Sequence, residues 1–205
     1  MILSLLHQIP LIREQNFSGE EKKNLKKYFK IRTFKKKEKI LNKGEVEMYF
    51  NFVYKGLIRQ YYIDENGNEV NTRFADAGDI ICSEFSYFSG TPSGYISEAV
   101  ENSTLLSITV EDMDYIQSQG MNFLRFGKLL MARVFFLKEE RERKFLSNDA
   151  KKKVELFYRL RPKMALRLSQ INIASYLNLK PETFSKLKKA YILESIDSEK
   201  FSQEY

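Results

Sequence analysis

The chain has 205 residues and a formal net charge of +7, with 43% hydrophobic residues, 28 Phe and Tyr together, one Cys and one His. That length suits one or two globular domains with a substantial core. A single Cys82 excludes an intrachain disulfide, a thiolate zinc site and a cysteine-ligated iron–sulfur cluster, and a single His7 excludes a multi-histidine metal centre.

The charge is unevenly spread. Residues 21–43 carry +9, residues 44–118 carry −10, residues 119–147 carry +4 and residues 148–205 carry +5. A basic end and an acidic middle suit a molecule that meets a polyanion at one end and keeps a sensor body away from it. The opening MILSLLHQIPLI is apolar, but it lacks a basic start and a small-residue cleavage pattern and is broken by His7, Gln8 and Pro10. It is not read as a signal peptide. The most apolar run, Phe123 to Leu137, is too short for a membrane span and contains Arg125, Lys128 and Arg133. The expected location is the cytoplasm.

In chain order, residues 20–30 predict a helix with Leu25, Tyr28 and Phe29 on one side and lysines on the other. The run Lys35-Lys36-Lys37-Glu38-Lys39 reads as a solvated strand or loop face. From Ile31 to about Val110 short strands and turns follow one another. Phe50, Phe52 and Tyr54 alternate with Asn51 and Val53; Gly56 interrupts; Leu57 to Ile63 runs on. Asp64 to Asn68 is a hairpin connection with an Asn-Gly turn signal, Val70 to Phe74 returns, Ala77-Gly78-Asp79 turns again, and Ser103 to Thr109 is another strand. Strands at this spacing suggest a sandwich or jelly-roll barrel. Cys82, beside Ile80 and Ile81 and with no adjacent base, reads as a buried structural thiol.

From about Gln119 the period becomes helical. Between Phe123 and Leu137 apolar residues run nearly all the way round, so this helix is expected to be buried on more than one side: against its own barrel and against a second subunit. A purely intramolecular core helix is the alternative. Ser147-Asn148-Asp149 supplies a cap-like break before a helix from Ala150 to about Leu160.

The segment QINIASYLNLKPETFSKLKK, residues 170–189, has the layout of a helix-turn-helix. Ile173, Leu177 and Leu179 fit a short helix entering a turn. Asn178 falls where a left-handed backbone is needed, and Asn tolerates it. Pro181 fits the first position of the next helix, and Glu182 favours the positive end of its dipole. Phe184, Leu187 and Tyr191 form the inward stripe, leaving Glu182, Ser185, Lys186 and Lys189 outward. Such a face can meet base edges and phosphates. An ordinary pair of amphipathic helices with a solvated face is the alternative.

A barrel, a long apolar helix and a helix-turn-helix, in that order, resemble the cyclic-AMP receptor / FNR-type (Crp/Fnr) family of bacterial transcription regulators along nearly the whole chain. VYKGLIRQYY, DENGNEV and FADAGDII are similar to the family's strand-turn repeats, and IASYLNLKPETFSKLKK to its DNA-reading unit. The resemblance implies an α+β fold: a jelly-roll sensor domain at 1–118, a dimerisation helix and hinge at 119–147, and a helix-turn-helix (winged-helix-like) domain at 148–205. It implies double-stranded DNA, a second copy of the chain and RNA polymerase as partners, with no membrane and no enzymatic activity. Glu182 and Lys186 become the leading base readers, supported by Ser185. Ser169, Gln170, Lys180, Thr183, Lys188 and Lys189 become backbone contacts. Pro181 stands where the cyclic-AMP receptors place another base-reading Arg, and Lys180 where a capping Ser or Thr is expected. The 15 residues after Ala190 contain no Gly and no clear hairpin, which leaves the family's wing short or absent.

The sensor segment departs from the family. Aligned from Gly78-Asp79, the Glu that holds the ribose becomes Ser83, with Glu84 beside it, and the Arg that holds the cyclic phosphate becomes Ser93, followed by Gly94 and Tyr95. Losing that Arg removes a charge-assisted bidentate contact. Cyclic AMP is therefore not expected to bind in the usual way. No cofactor and no metal are expected; the candidate pocket for an unidentified small-molecule effector is Ser83, Glu84, Ser93, Gly94 and Tyr95, and a collapsed, ligand-free barrel is the alternative. Two other function classes compete. One is a ligand-binding module whose helix-turn-helix contacts protein instead of DNA. The other, a cupin-like enzyme, lacks the barrel histidines it needs.

Overall fold

A computed structural model describes Arg13, residues 17–147 and residues 149–203. The opening segment with His7, and Asn148, lie outside the described residues. Two compact units result, Met1–Asn68 with Thr72–Leu137 and Glu69–Asn71 with Lys138–Tyr205.

The first unit begins with α1 (Gly19–Tyr28), opened by a capping box. Ser18 Oγ accepts from Glu21 N at 3.1 Å, while the Glu21 carboxylate accepts from Ser18 N at 2.7 Å. Eight strands follow: β1 (Lys30–Phe34), β2 (Lys39–Leu41), β3 (Tyr49–Lys55), β4 (Leu57–Ile63), β5 (Glu69–Asp76), β6 (Ile80–Ile81), β7 (Ile96–Ala99) and β8 (Ser103–Thr109). A short helix, α2 (Glu84–Ser89), separates β6 from β7. They form two four-stranded sheets, β1-β8-β3-β6 and β2-β7-β4-β5, with antiparallel pairing throughout the first. This is the expected jelly-roll arrangement. Each strand places one apolar residue in a shared interior: Phe34, Ile40, Val53, Ile58, Ala75, Ile81, Ala99 and Leu105.

The first sheet is buried on its other face as well. Phe50 and Phe52 of β3 and Leu106 and Ile108 of β8 pack with Leu25 and Phe29, with Met113 and Ile116 of α3 (Val110–Ser118), and with Phe123, Phe126, Leu130 and Val134 of α4 (Met121–Ser147). This explains the β3 sequence. Phe50 and Phe52 serve the helices, while the intervening Asn51 and Val53 turn away from them. Asn51 survives burial because its Oδ1 accepts from Ser107 Oγ at 2.7 Å and from Arg32 at 3.4 Å. The helical region starts earlier than expected: Thr109 caps α3 by accepting from Asp112 N. Residues 110–118 carry only Val110, Met113 and Ile116 as aliphatic anchors, too few for a periodic signal.

α4 is buried along one side and exposed along the other. Phe126 and Leu130 are inaccessible, whereas Met121, Leu124, Phe135 and Phe136 are 76, 48, 64 and 60% exposed. Arg125, Lys128 and Arg133 are also exposed.

Two buried carboxyl groups mark the barrel. Glu98 accepts from Arg59 Nε at 3.0 Å and from Lys39, whose ammonium also donates to Tyr61 Oη at 2.6 Å. Burial pushes the Glu98 carboxyl up, but these donors outweigh it and hold the pKa below the usual carboxylate range. Glu47 is 3% exposed. Its carboxylate accepts from Tyr49 N at 3.1 Å and Ser83 N at 3.2 Å, and its own N–H donates to Ser86 Oγ. Burial pushes its pKa up to about 7 despite those N–H donors and nearby Arg32.

In the second unit, α5 (Ala150–Leu160) is capped by Asp149, whose carboxylate accepts from Lys152 N at 2.7 Å. The residues after it are α6 (Pro162–Ala165), α7 (Gln170–Tyr176) and α8 (Pro181–Gln203). Val154, Phe157, Met164, Leu168, Ile173, Ala174, Leu177 and Phe184 are its buried apolar residues. Among the described residues no strand follows α8; the stretch where a wing would lie continues the helix. No described helix is long and apolar enough to cross a membrane.

Two consequences are measurable. Gly56 links β3 to β4 at φ +103°, and a Cβ there would meet Ser103 Cα at 2.7 Å, against the backbone of β8. Gly56→Ala should destabilise the barrel by about 2 kcal/mol or more in denaturant unfolding, from backbone strain added to that clash. Glu47 binds a proton in the folded state that an unfolded glutamate releases between about pH 4.5 and 7, so stability should fall as pH rises through that window. Glu47→Gln cannot ionise. Relative to the parent it should gain on the order of 1–3 kcal/mol between pH 5 and 8, read from thermal unfolding across that range. Parallel curves for the two proteins would refute the role given to Glu47.

Candidate nucleic-acid interface

The helix-turn-helix is built from short-range rules. Ser169 caps α7, its Oγ accepting from Asn172 N at 3.2 Å. The turn closes through Asn178 N to Ser175 O at 3.1 Å and Leu179 N to Ala174 O at 2.9 Å. Asn178 has φ +54°, the left-handed conformation its side chain tolerates. Lys180 precedes α8, and its carbonyl accepts from Phe184 N at 2.9 Å. Pro181 opens the helix, where its missing N–H costs nothing.

α8 is anchored through Phe184, which is inaccessible to solvent. Tyr158 of α5 lies at 6.5 Å from the Phe184 ring and 5.5 Å from the Tyr191 ring, nearly parallel to both. With that side fixed, Glu182, Ser185, Lys186 and Lys189 are all exposed. Their i, i+3, i+4, i+7 spacing puts them on one stripe. Of the residues expected at phosphates, Gln170, Lys180 and Thr183 are exposed and Lys188 is half-buried. Ser169 is exposed too, but its hydroxyl is committed to the α7 cap. No acidic residue except Glu182 lies between Gln170 and Lys189.

Of the five residues expected to form an effector pocket, Ser83, Glu84 and Ser93 have side chains engaged within the protein. Ser93 Oγ donates to Ser83 Oγ at 2.8 Å and accepts from Tyr95 N at 3.0 Å, and both serines are buried. The Ser93 backbone is tied to the β2–β3 connection through Gly44 N and Glu45 O. Glu84 is paired with Arg73 at 2.9 Å. Gly94 is exposed, and Tyr95 packs edge-on against Tyr62 at 6.3 Å. Sequence reasoning missed the buried groups around this segment. Besides Glu47, Gln60 donates to Cys82 O at 3.1 Å, and the Ser97 hydroxyl is buried without a hydrogen-bond partner among the described residues. No sequence signal marked them: Glu47 lies in the connection before β3, Gln60 follows Arg59 in β4 and Ser97 precedes Glu98 in β7.

Comparison with known proteins fits this architecture. Residues 31–119 match the family described as the cyclic nucleotide-binding domain. No curated protein matches the sequence. Among solved structures, FixK2 from Bradyrhizobium japonicum is similar with TM-score 0.71 at 19% identity, over 82% of this chain and 86% of that one. A protein assigned to the Crp/Fnr family from Eubacterium rectale gives 0.69 at 18% identity, over 92% and 88%. A Crp/Fnr-family transcriptional regulator from Thermus thermophilus gives 0.65 at 18% identity, over 80% and 87%. Residues 31–119 thus match the cyclic nucleotide-binding domain family, and the chain that carries them shares the fold of solved Crp/Fnr-family proteins.

Proposed function

We propose that this protein is a sequence-specific DNA-binding transcription regulator that acts as a cytoplasmic dimer. Its partners are double-stranded DNA, a second copy of the chain and RNA polymerase. Residues 1–118 serve as sensor, 119–147 as dimerisation helix and hinge, and 148–205 as DNA-binding domain. The observation that carries this reading is the exposed stripe of Glu182, Ser185, Lys186 and Lys189 on a helix held from behind by Phe184.

Glu182 accepts from cytosine N4, and Lys186 donates to guanine O6 or N7. Lys186 does so as a point charge and not as the planar fork of an Arg, which softens its discrimination. Lys180, Lys188 and Lys189, with Gln170 and Thr183, hold the phosphates and set the register. Two copies reach successive major grooves about 34 Å apart on a near-palindromic site. The exposed apolar residues toward the end of α4 supply the dimer contact, because Phe135 and Phe136 in water have no other cover among the described residues.

Cyclic AMP is not the effector in this reading. Ser83 and Ser93 hydrogen-bond each other where a ribose and a phosphate would need Glu and Arg. The regulator binds its operator without it.

Selection from a randomised duplex pool, followed by anisotropy at near-physiological salt, tests the proposal. A preference of about a thousandfold over scrambled DNA is expected. Uniform, salt-labile binding to every sequence would instead point to a helix-turn-helix that contacts protein. Lys186→Ala should lose about 1–3 kcal/mol of operator affinity and relax specificity at one base pair per half-site. Phe136→Glu should shift the protein from dimer to monomer in analytical ultracentrifugation, because it sets like charges against each other across a desolvated contact.

A further inference from the structure

A cavity of about 240 Å³ lies between the helix-facing side of the first sheet and the α3–α4 pair. It shares no wall residue with Ser83, Glu84, Ser93, Gly94 or Tyr95. Its inner walls are Phe50, Tyr87, Met113 and Leu130, all buried, and its mouth is flanked by Phe88 and Leu124, which are 61 and 48% exposed. Apolar cavities of about 150 Å³ stay dry and hold one benzene ring. This larger space, whose lining is mostly apolar, has room for two fused rings.

The walls favour a flat molecule. Phe50 and Tyr87 meet edge-to-face at 5.7 Å, and Tyr87 and Phe88 at 5.1 Å, so ring faces and edges line one side. Met113 and Met131 line it as well, and their flexible thioethers adjust to an irregular guest. Asp114 and Gln117 of α3 supply polar atoms to the lining. Gly127 lets Gln117 approach α4, since a Cβ there would strike the Gln117 carboxamide at 2.6 Å. Asp114 belongs to an acidic turn with Glu111 and Asp112, opposed in the lining by Lys128 alone. A carboxylate acceptor in an acidic setting selects for an N–H donor on the guest and against an anion.

We propose that this cavity is a binding site for a small, flat, uncharged molecule of two fused rings carrying one N–H, the indole class of compounds. The apolar body fills the space between Phe50, Tyr87 and Leu130, and the N–H donates to Asp114. The proposal stands apart from the DNA-binding reading, and its test uses no DNA.

Calorimetric titration of the full chain with indole, and with indene, which has the same shape but no N–H, provides that test. Saturable binding of one indole per chain is expected, about fivefold tighter than indene, the worth of one net hydrogen bond. Leu124→Trp narrows the mouth from a half-exposed position and should weaken both probes about tenfold or more. Asp114→Ala, at an exposed position, removes the acceptor and should weaken indole about fivefold and leave indene unchanged. Circular dichroism confirms that both variants keep the parental fold. No saturable indole binding at millimolar concentration, or parental affinity in Leu124→Trp, overturns the site. An unchanged indole-to-indene ratio in Asp114→Ala overturns the assignment of the N–H class.

Discussion

The barrel depends on one constraint: the sheet β1-β8-β3-β6 must be covered on both faces. One face closes on the interior shared by all eight strands. The other, carrying Phe50, Phe52, Leu106 and Ile108, has to be covered by helices. At about 25 cal/mol per Å² of apolar surface removed from water, a layer of this size is among the larger favourable terms in folding the unit. It fixes where α1, α3 and α4 lie. Because α4 spends one side on this sheet, its remaining apolar residues must face outward. The side that carries Leu124, Phe135 and Phe136 is therefore set by the packing of the barrel.

Polar groups follow from the same burial. Asn51, Glu47, Gln60 and Glu98 lie on strands or connections with little access to water, and each is answered by a named partner. Ser83 and Ser93 answer each other. The segment that in cyclic-nucleotide binders carries charge for a ligand is here stitched to its own backbone and to the β2–β3 connection. The charged groups that remain, Glu84 with Arg73 and Glu98 with Arg59, are paired within the protein.

Much of this was legible in the sequence where the signal is local. Asn178, Pro181 and Phe184 fixed the helix-turn-helix because turn chemistry, helix initiation and a hydrophobic anchor coincide within seven residues. Gly56, the Asn66-Gly67 turn and Gly78 marked strand boundaries through backbone conformations that side chains disfavour; all three glycines have positive φ. Less legible were elements whose reason is distant. β2 has three residues and β6 two, and they exist through pairing with strands far along the chain. α2 holds Phe85 and Phe88 outward, so it carries no amphipathic pattern. The hydroxyl pair Ser83–Ser93 joins residues whose approach depends on the barrel closing. The resemblance supplied their alignment but not their mutual hydrogen bond.

Cys82 has a further consequence. It is the one thiol of the chain and is fully buried among the aromatic and aliphatic residues beneath the helices. A thiol reagent can reach it only when that layer parts. Its rate of labelling is thus a clock for how often the barrel breathes, built into the native sequence and silent toward motions of the helix-turn-helix. Such a clock would separate a molecule that tightens the sensor from one that acts only at the DNA.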